Sequence, residues 1–541
     1  MKKMLLKGVG ASPGAAIASI YYIRALDLSV ERRDGRNPAA ETERYESAKT
    51  KAFSELDGLY EKTAALDSAA AQVFEIHKLM LEDPDFCDGV EAAVGAGMNA
   101  EFAVKSSADS LADFLGTLEN EVMRERAADL RDASGRLIRI LKGLEEKSEM
   151  PEGEFIVLAE DLLPSQTVRL DRDKVRGFVT KGGSSTSHSV ILAKTMGIPC
   201  IVGMGAGFEQ LPTDGEIAID GGTGEVLVNP TPSERENFLQ RVDEFARKRL
   251  ELEKFRNVEA VTRTGHRILV SANIGSVADA DTAISFGADG VGLFRSEFLY
   301  LESSDFPSEE KQFEAYMAVL EKMAPKPVVI RTLDLGSDKQ APYFDIPDEE
   351  NPALGYRAIR ICLKEPHIFH TQLRALLRAS VYGRLQVMFP MITHLGQVLE
   401  IKKTIKLLKE QLDGENIPYS RDIEFGIMVE TPAAAIMSDE LAKEVDFFSL
   451  GTNDLTQYTM AVDRMNARIG DIFNPADPAV LRLIELTAKN AHNNGIWVGI
   501  CGESAADPAL TEFYISLGID ELSVSPPSVP AVKKAILTNK A

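Results

Sequence analysis

Between Asp446 and Tyr458 an apolar run, Phe447-Phe448-Ser449-Leu450, breaks abruptly into Gly451-Thr452-Asn453-Asp454. A buried parallel strand reads this way when its carboxyl end opens onto an active site. The break recurs through the second half of the chain. After Arg263, strand-like and helical stretches alternate to the end, with candidate strands at Ile268–Ile274, Gly290–Phe294, Val328–Leu333, Gln386–Met391, Glu424–Val429, Phe447–Leu450, Trp497–Ile500 and Leu522–Val524. Helical stretches such as Glu309–Met323 and Pro478–Asn493 lie between them. Eight βα units in this length predict a carboxyl-terminal (β/α)8 TIM barrel. A doubly wound open sheet is the alternative, but no GxGxxG segment opens it.

Upstream the pattern is different. Residues 1–25 read as strand, with a turn at Ala11-Ser12-Pro13-Gly14, and residues 26–144 carry helical periodicity, as in the amphipathic run Ala71–Leu81. Strand character returns at Glu154–Ala159 and continues in short Gly-punctuated pieces to Glu225–Val228. The chain is therefore expected to be α/β, with a domain built from residues 1–25 and 145–230, a helical bundle inserted at 26–144, and a barrel over 263–541. Residues 231–262 are heavily charged and helix-forming with little to bury, the mark of a connecting helix that acts as a spacer.

The net charge of −23 argues against sequence-independent binding to nucleic acid or to an anionic membrane face, and allows a basic protein partner. No apolar run approaches the ~20 residues of a membrane span, and the basic amino end lacks the apolar core of a secretion signal. Cys87, Cys200, Cys362 and Cys501 are far apart and form no CxxC pair, so neither a zinc knuckle nor a disulfide framework is suggested. A cytoplasmic address is the simplest.

In a TIM barrel the polar groups just after each strand converge on one rim. Those positions hold Arg295 and Glu297, Arg331 and Asp334, Glu430, Asn453 and Asp454, then Cys501 and Glu503, with Arg464 close behind and Arg357 and Arg360 leaning in from the loop after the third strand. Each has a plainer reading. Asp454 or Glu430 can cap a helix, Arg295 and Glu297 can form a rim ion pair, and Cys501 can be a small buried filler. Taken together they read as chemistry. Arginines facing one point repel unless an anion lies between them, and carboxylates beside them suit a hard divalent cation, most simply Mg²⁺. Phosphoryl transfer is the reaction implied.

A second site stands upstream, at Lys181-Gly182-Gly183-Ser184-Ser185-Thr186-Ser187-His188-Ser189. A turn rich in glycine and hydroxyls delivers His188 to the start of an expected helix, where loop amides and a helix amino end stabilise an anion. Imidazole is a competent nucleophile near neutral pH. Of the seven histidines only His188 has this setting.

These residues resemble Enzyme I of the bacterial phosphoenolpyruvate:sugar phosphotransferase system. The resemblance runs nearly end to end, through Gly8–Gly14, Arg124-Glu125-Arg126-Ala127-Ala128-Asp129, Thr186-Ser187-His188, Gly292–Glu297, Arg331–Asp334, Gly451–Asp454 and Gly499–Glu503. It implies that a swivelling α/β domain carries a phosphohistidine at His188, which attacks the phosphorus of phosphoenolpyruvate. It implies too that Arg295, Arg331, Asn453, Asp454 and Arg464 bind the substrate, that Glu430 and Asp454 hold Mg²⁺, and that Cys501 protonates the enolate to release pyruvate. The inserted helices would dock the histidine phosphocarrier HPr, and the barrel would form a homodimer. One departure is visible. The family's usual Gly-Gly-Arg-Thr-Ser-His is here Gly182-Gly183-Ser184-Ser185-Thr186-Ser187-His188. A nucleotide-dependent dikinase or synthase of the same wider group needs a nucleotide-cradling domain that the chain does not show, and a phosphorylation sensor of little turnover fits poorly with an intact rim.

Overall fold

The computed structural model describes all residues except 1–3, 24–26, 34–36, 65–67, 118–120, 145–149, 163, 168–169, 184–187, 302, 304, 338–342, 345–348, 465, 467, 471 and 540–541. The chain divides into two compact units, Met1–Arg249 and Leu250–Ala541.

The first unit opens with strands β1 (Met4–Lys7), β2 (Val9–Ser12) and β3 (Ala15–Ile23). Five helices follow: α1 (Pro38–Ala64), α2 (Ser68–Glu82), α3 (Pro84–Gly95), α4 (Ala100–Thr117) and α5 (Glu121–Leu141). They enclose their own apolar core, which includes Leu56, Phe74, Phe86, Val90, Val104 and Leu137. Local chemistry sets the ends. The Asp83 carboxylate caps α3 by accepting from the amides of Asp85 and Phe86, with Pro84 in the first turn where its missing N–H costs nothing. Glu41 of α1 likewise accepts the Ala100 amide at 2.9 Å, and Arg136 of α5 donates to Glu55 of α1 at 3.0 Å.

The chain then returns as β4 (Phe155–Ala159), α6 (Pro164–Thr167), β5 (Val175–Thr180), α7 (His188–Met196), β6 (Cys200–Val202), β7 (Glu216–Asp220) and β8 (Glu225–Val228). One mixed sheet collects these strands in the order β1-β8-β7-β3-β4-β5-β6-β2. β3 and β4 sit side by side although the whole bundle lies between them in sequence, so the helices are an insertion into the α/β body. Helix α8 (Pro232–Glu253) forms where the charged connecting helix is expected, and one point of it is seated on the sheet. Its Phe238 is buried against Ala218 and Leu227, and Arg241 pairs with Asp220 at 3.1 Å and Glu225 at 3.4 Å. One aromatic side chain in a charged stretch suffices to seat a helix when acidic strand ends lie within reach of its arginines.

In the second unit eight parallel strands close into a barrel: β9 (Leu269–Ile274), β10 (Val291–Arg295), β11 (Pro327–Arg331), β12 (Arg384–Phe389), β13 (Glu424–Val429), β14 (Phe447–Leu450), β15 (Trp497–Ile500) and β16 (Glu521–Val524). All eight fall at the expected positions within a few residues. Outward faces feed one large core under the helices, and inward faces make a smaller one of Leu293, Val329, Met388, Met428, Phe447 and Cys501. Among the described residues no helix is long and apolar enough to cross a membrane.

Candidate active site

The carboxyl ends of the barrel strands carry a dense, mostly buried set of opposite charges. Arg331 ends β11 and is 7 % exposed. Its guanidinium donates to Glu297 at 2.6 Å and pairs with Asp334 at 2.8 Å. Asp334 in turn takes Arg357 at 3.1 Å. Burial works against the Arg331 charge, but Asp334, Glu297 and Glu430 outweigh it and raise its pKa. Glu297 thus pairs with Arg331, and Arg295, at the end of β10, stays exposed. Arg357 leans in as expected, whereas Arg360 turns its Nη1 to the carbonyls of Leu354 and Gly355 at 2.6 and 2.7 Å.

Glu430 follows β13 and is 1 % exposed. Its Oε1 accepts the Met391 amide at 2.6 Å, while its Oε2 is buried with no hydrogen-bond partner. Burial, then the charges of Asp454 and Asp334, push the Glu430 pKa well above the usual carboxylate range against the pull of Arg331. Left alone, the group holds its proton more tightly than an ordinary carboxylate. A cation beside Glu430 and Asp454 would favour its ionised form. Among the described residues no group of three or more His, Cys, Asp or Glu side chains forms a closed metal cage. Two carboxylates on an open rim are what a magnesium ion takes when substrate and water complete its shell.

Gly451 makes this possible. A Cβ there would stand 2.9 Å from the Glu430 Cβ and 3.0 Å from Oε2. The helix Thr452–Met460 begins at once and carries Asn453 and Asp454 in its first turn. Asn453 accepts the Glu503 amide at 3.1 Å, tying the end of β14 to that of β15. Asp454 meets Arg464 at 3.7 Å. Gly502 is needed for the same junction, since a Cβ on it would come within 1.9 Å of the Thr452 hydroxyl.

Cys501 ends the series, just beyond β15. It is 4 % exposed, and its thiol leans 3.5 Å from the Leu450 carbonyl. Burial pushes its pKa up to about 12, with Ser449 and Arg331 acting against the shift and Glu430 and Glu521 adding to it. The thiol keeps its proton at neutral pH, the form a proton donor needs. The rim therefore brings together Arg331, Glu430, Asn453, Asp454, Arg464 and Cys501, with Arg295 at its edge. Asp334 and Arg357 complete the charge network, and Tyr458 joins it, its pKa raised to about 12 by burial first, with Arg357 opposing. Glu297 was among the rim residues read from the sequence, whereas Tyr458 carried no signal there beyond its nearness to a strand end.

His188 is the first residue of α7, in the other unit. The loop residues 184–187 that precede it, including the departure at Ser184-Ser185, lie outside the described residues.

Residues 249–541 match the model of the PEP-utilising enzyme, PEP-binding domain, where PEP is phosphoenolpyruvate. Residues 7–126 match the PEP-utilising enzyme N-terminal domain, and 151–224 the PEP-utilising enzyme mobile domain. The chain is 43 % identical over 527 residues to a phosphoenolpyruvate-protein phosphotransferase of Bacillus subtilis, covering 97 % of this chain and 92 % of that one. Proteins of the same name from Staphylococcus carnosus and Enterococcus faecalis are 41 % and 43 % identical, over 98 % and 97 % of this chain and 93 % and 92 % of theirs.

Proposed function

The chain belongs to the phosphoenolpyruvate-protein phosphotransferase family, and on that footing we propose that it moves the phosphoryl group of phosphoenolpyruvate to His188 and then to a histidine of the carrier HPr, releasing pyruvate. This is the first step of phosphotransferase sugar uptake. The observation that carries the reading is the orphan Oε2 of buried Glu430 beside Asp454 and the Arg331–Asp334–Arg357 network. It is a fixed, water-poor cluster of alternating charge, ready for an anionic substrate and its counter-ion.

The division of labour follows from the chemistry of each group. Arg331, held rigid by Glu297 and Asp334, presents its planar fork to the phosphate or carboxylate of the substrate. Arg295 and Arg464 close on it from the exposed edge, and Asn453 contributes its amide. Glu430 and Asp454 would hold Mg²⁺, which supplies charge neutralisation to the transferring phosphoryl group. His188, at the amino end of α7, attacks phosphorus, and the new charge is eased by the helix end. The enolate left behind takes the Cys501 proton at carbon and becomes pyruvate. HPr docking on the helical bundle, a homodimer formed through the barrel and a cytoplasmic setting complete the reading. All four cysteines are free thiols, in keeping with a reducing compartment.

Labelled phosphoenolpyruvate with Mg²⁺, given to the wild type and to His188→Ala with and without HPr, tests the proposal. Acid-labile, base-stable label should appear on the wild type, pass to HPr, and be missing from the variant. Label retained at the normal level in His188→Ala would overturn it.

A further inference from the structure

Below the rim the barrel interior holds a buried acid that the reaction so far leaves idle. Glu521 is the first residue of β16 and is 3 % exposed. Ser271 donates to its Oε1 at 2.6 Å, while Oε2 is buried with no partner. That oxygen lies against two bare stretches of backbone. A Cβ on Gly292 or Gly499 would stand 2.9 or 3.1 Å from it. Both glycines thus leave room that the Glu521 carboxylate itself occupies.

The register of the strands shows what lies across from the carboxylate. Glu521 pairs with Gly499 of β15, and Gly499 pairs with Ser449 of β14. Ser449 and Glu521 stand at one level of the barrel, and the strand between them contributes only a glycine. Ser449 is wholly buried, and its hydroxyl has no hydrogen-bond partner of ordinary geometry, yet it lies close enough to the Cys501 thiol to lower that thiol's pKa. Two orphaned polar atoms, one on each side of Gly499, therefore sit beneath the thiol. Buried polar groups without partners are rare in folded proteins and call for an explanation.

We propose that Glu521 and Ser449 form an internal proton relay that recharges Cys501 from beneath the active site. The inference rests on Cys501 being the acid. When the enolate carbon of pyruvate gains its C–H bond, the S–H bond breaks and a buried thiolate remains. Ser449 and Glu521 are not hydrogen-bonded at rest, so the relay needs their side chains to turn toward each other across Gly499: the thiolate takes the Ser449 hydroxyl proton, Ser449 takes the Glu521 carboxyl proton, and Glu521 is left as carboxylate. No electrons are exchanged, and one proton has moved from Glu521 to pyruvate. Glu521 regains its proton at the foot of the barrel, where Glu424 and Asp520 keep 31 % and 30 % of their side chains exposed.

The charges around Glu521 suit this task. Burial raises its pKa to about 7, the Ser271 hydrogen bond opposes the shift, and Asp520, Asp289 and Glu424 add to it. Asp289 is balanced by Lys533 at 2.8 Å, and Glu424 accepts from Trp497 and Gln386 at 2.8 and 2.7 Å and faces Arg384 at 3.6 Å. An internal acid that titrates near working pH both donates and recovers a proton readily.

The test is enzyme-catalysed exchange of the pyruvate methyl protons in deuterated water, with Mg²⁺ and inorganic phosphate, on the full chain. It needs no phosphoryl transfer. Cys501→Ser should abolish exchange. Ser449→Ala and Glu521→Gln should each slow it by roughly tenfold to a hundredfold, the low end of what a positioned acid or base supplies. Glu521→Gln should also lose the inflection of the wild-type rate near neutral pH, which a packing defect would leave in place. If Cys501→Ser exchanges normally, the acid assignment itself fails. If Cys501→Ser is inactive while Ser449→Ala and Glu521→Gln exchange at the wild-type rate with the wild-type pH profile, the relay is overturned and Cys501 stands. Should Glu521→Gln not fold, Ser449→Ala, which removes a single oxygen, decides alone.

Discussion

The carboxylate of Glu430 occupies the space that a side chain on Gly451 would fill, with Oε2 only 3.0 Å from the ideal Cβ position. The first glycine of the Gly-Thr-Asn-Asp turn is thus a spatial requirement of the neighbouring strand's acid. Gly451→Ala should displace Glu430 while leaving the barrel folded. Its phosphoenolpyruvate-dependent labelling should need more Mg²⁺ by about tenfold or more, the scale expected when a ligand's support is disturbed. Magnesium titration of the labelling rate checks this, and an unchanged midpoint would rule out the coupling.

Magnesium affinity should fall as pH falls. Glu430 holds its proton more tightly than an ordinary carboxylate because of burial and then Asp454, so an ion must displace that proton to bind. Below the raised pKa each pH unit should weaken binding by about tenfold. Calorimetry in buffers of different ionisation enthalpy should record proton release, and its absence would place the ion elsewhere.

Asp334 serves two buried guanidiniums at once, Arg331 at 2.8 Å and Arg357 at 3.1 Å. Asp334→Ala should destabilise the protein by about 3–5 kcal/mol, the cost of leaving buried charge underpaired. Denaturant unfolding measures it. A loss below about 1 kcal/mol, typical of exposed pairs, would mean that the network is solvated.

Glu521 also predicts how stability varies with pH. Its folded pKa is raised from 4.5 to about 7, so the native state favours the protonated form. The stability this confers is fully present below 4.5 and is lost as pH rises through about 7. The melting temperature of the wild type should fall over that window relative to Glu521→Gln, and parallel curves for the two would refute the shift.

The barrel was legible because its strands are apolar runs cut off by Gly, Thr, Asn and Asp, and the alternation leaves few topologies open. The rim residues were legible for the same reason, since they follow strand ends. What stayed hidden depends on pairing across strands. Nothing in the sequence says that Glu297 reaches Arg331 and leaves Arg295 alone, or that Arg360 turns Nη1 to Leu354 and Gly355. The relay level was hidden too, because Ser449, Gly499 and Glu521 are neighbours only through the register of three strands. Helix α8 was legible as a charged helix, but its seated point was not. A charged stretch reads as solvated, and the weight of Phe238 against Ala218 and Leu227 appears only once the sheet exists.

That helix has a practical corollary for anyone who wishes to excise the amino-terminal half. A cut at residue 230, where composition changes, would strip Ala218 and Leu227 of their cover and leave Asp220 and Glu225 without Arg241. The fragment would show an apolar scar on its sheet and tend to aggregate. Ending the fragment after Arg249, which reaches the Gly197 carbonyl at 3.5 Å, keeps the lid on that face and should give a soluble, monodisperse piece.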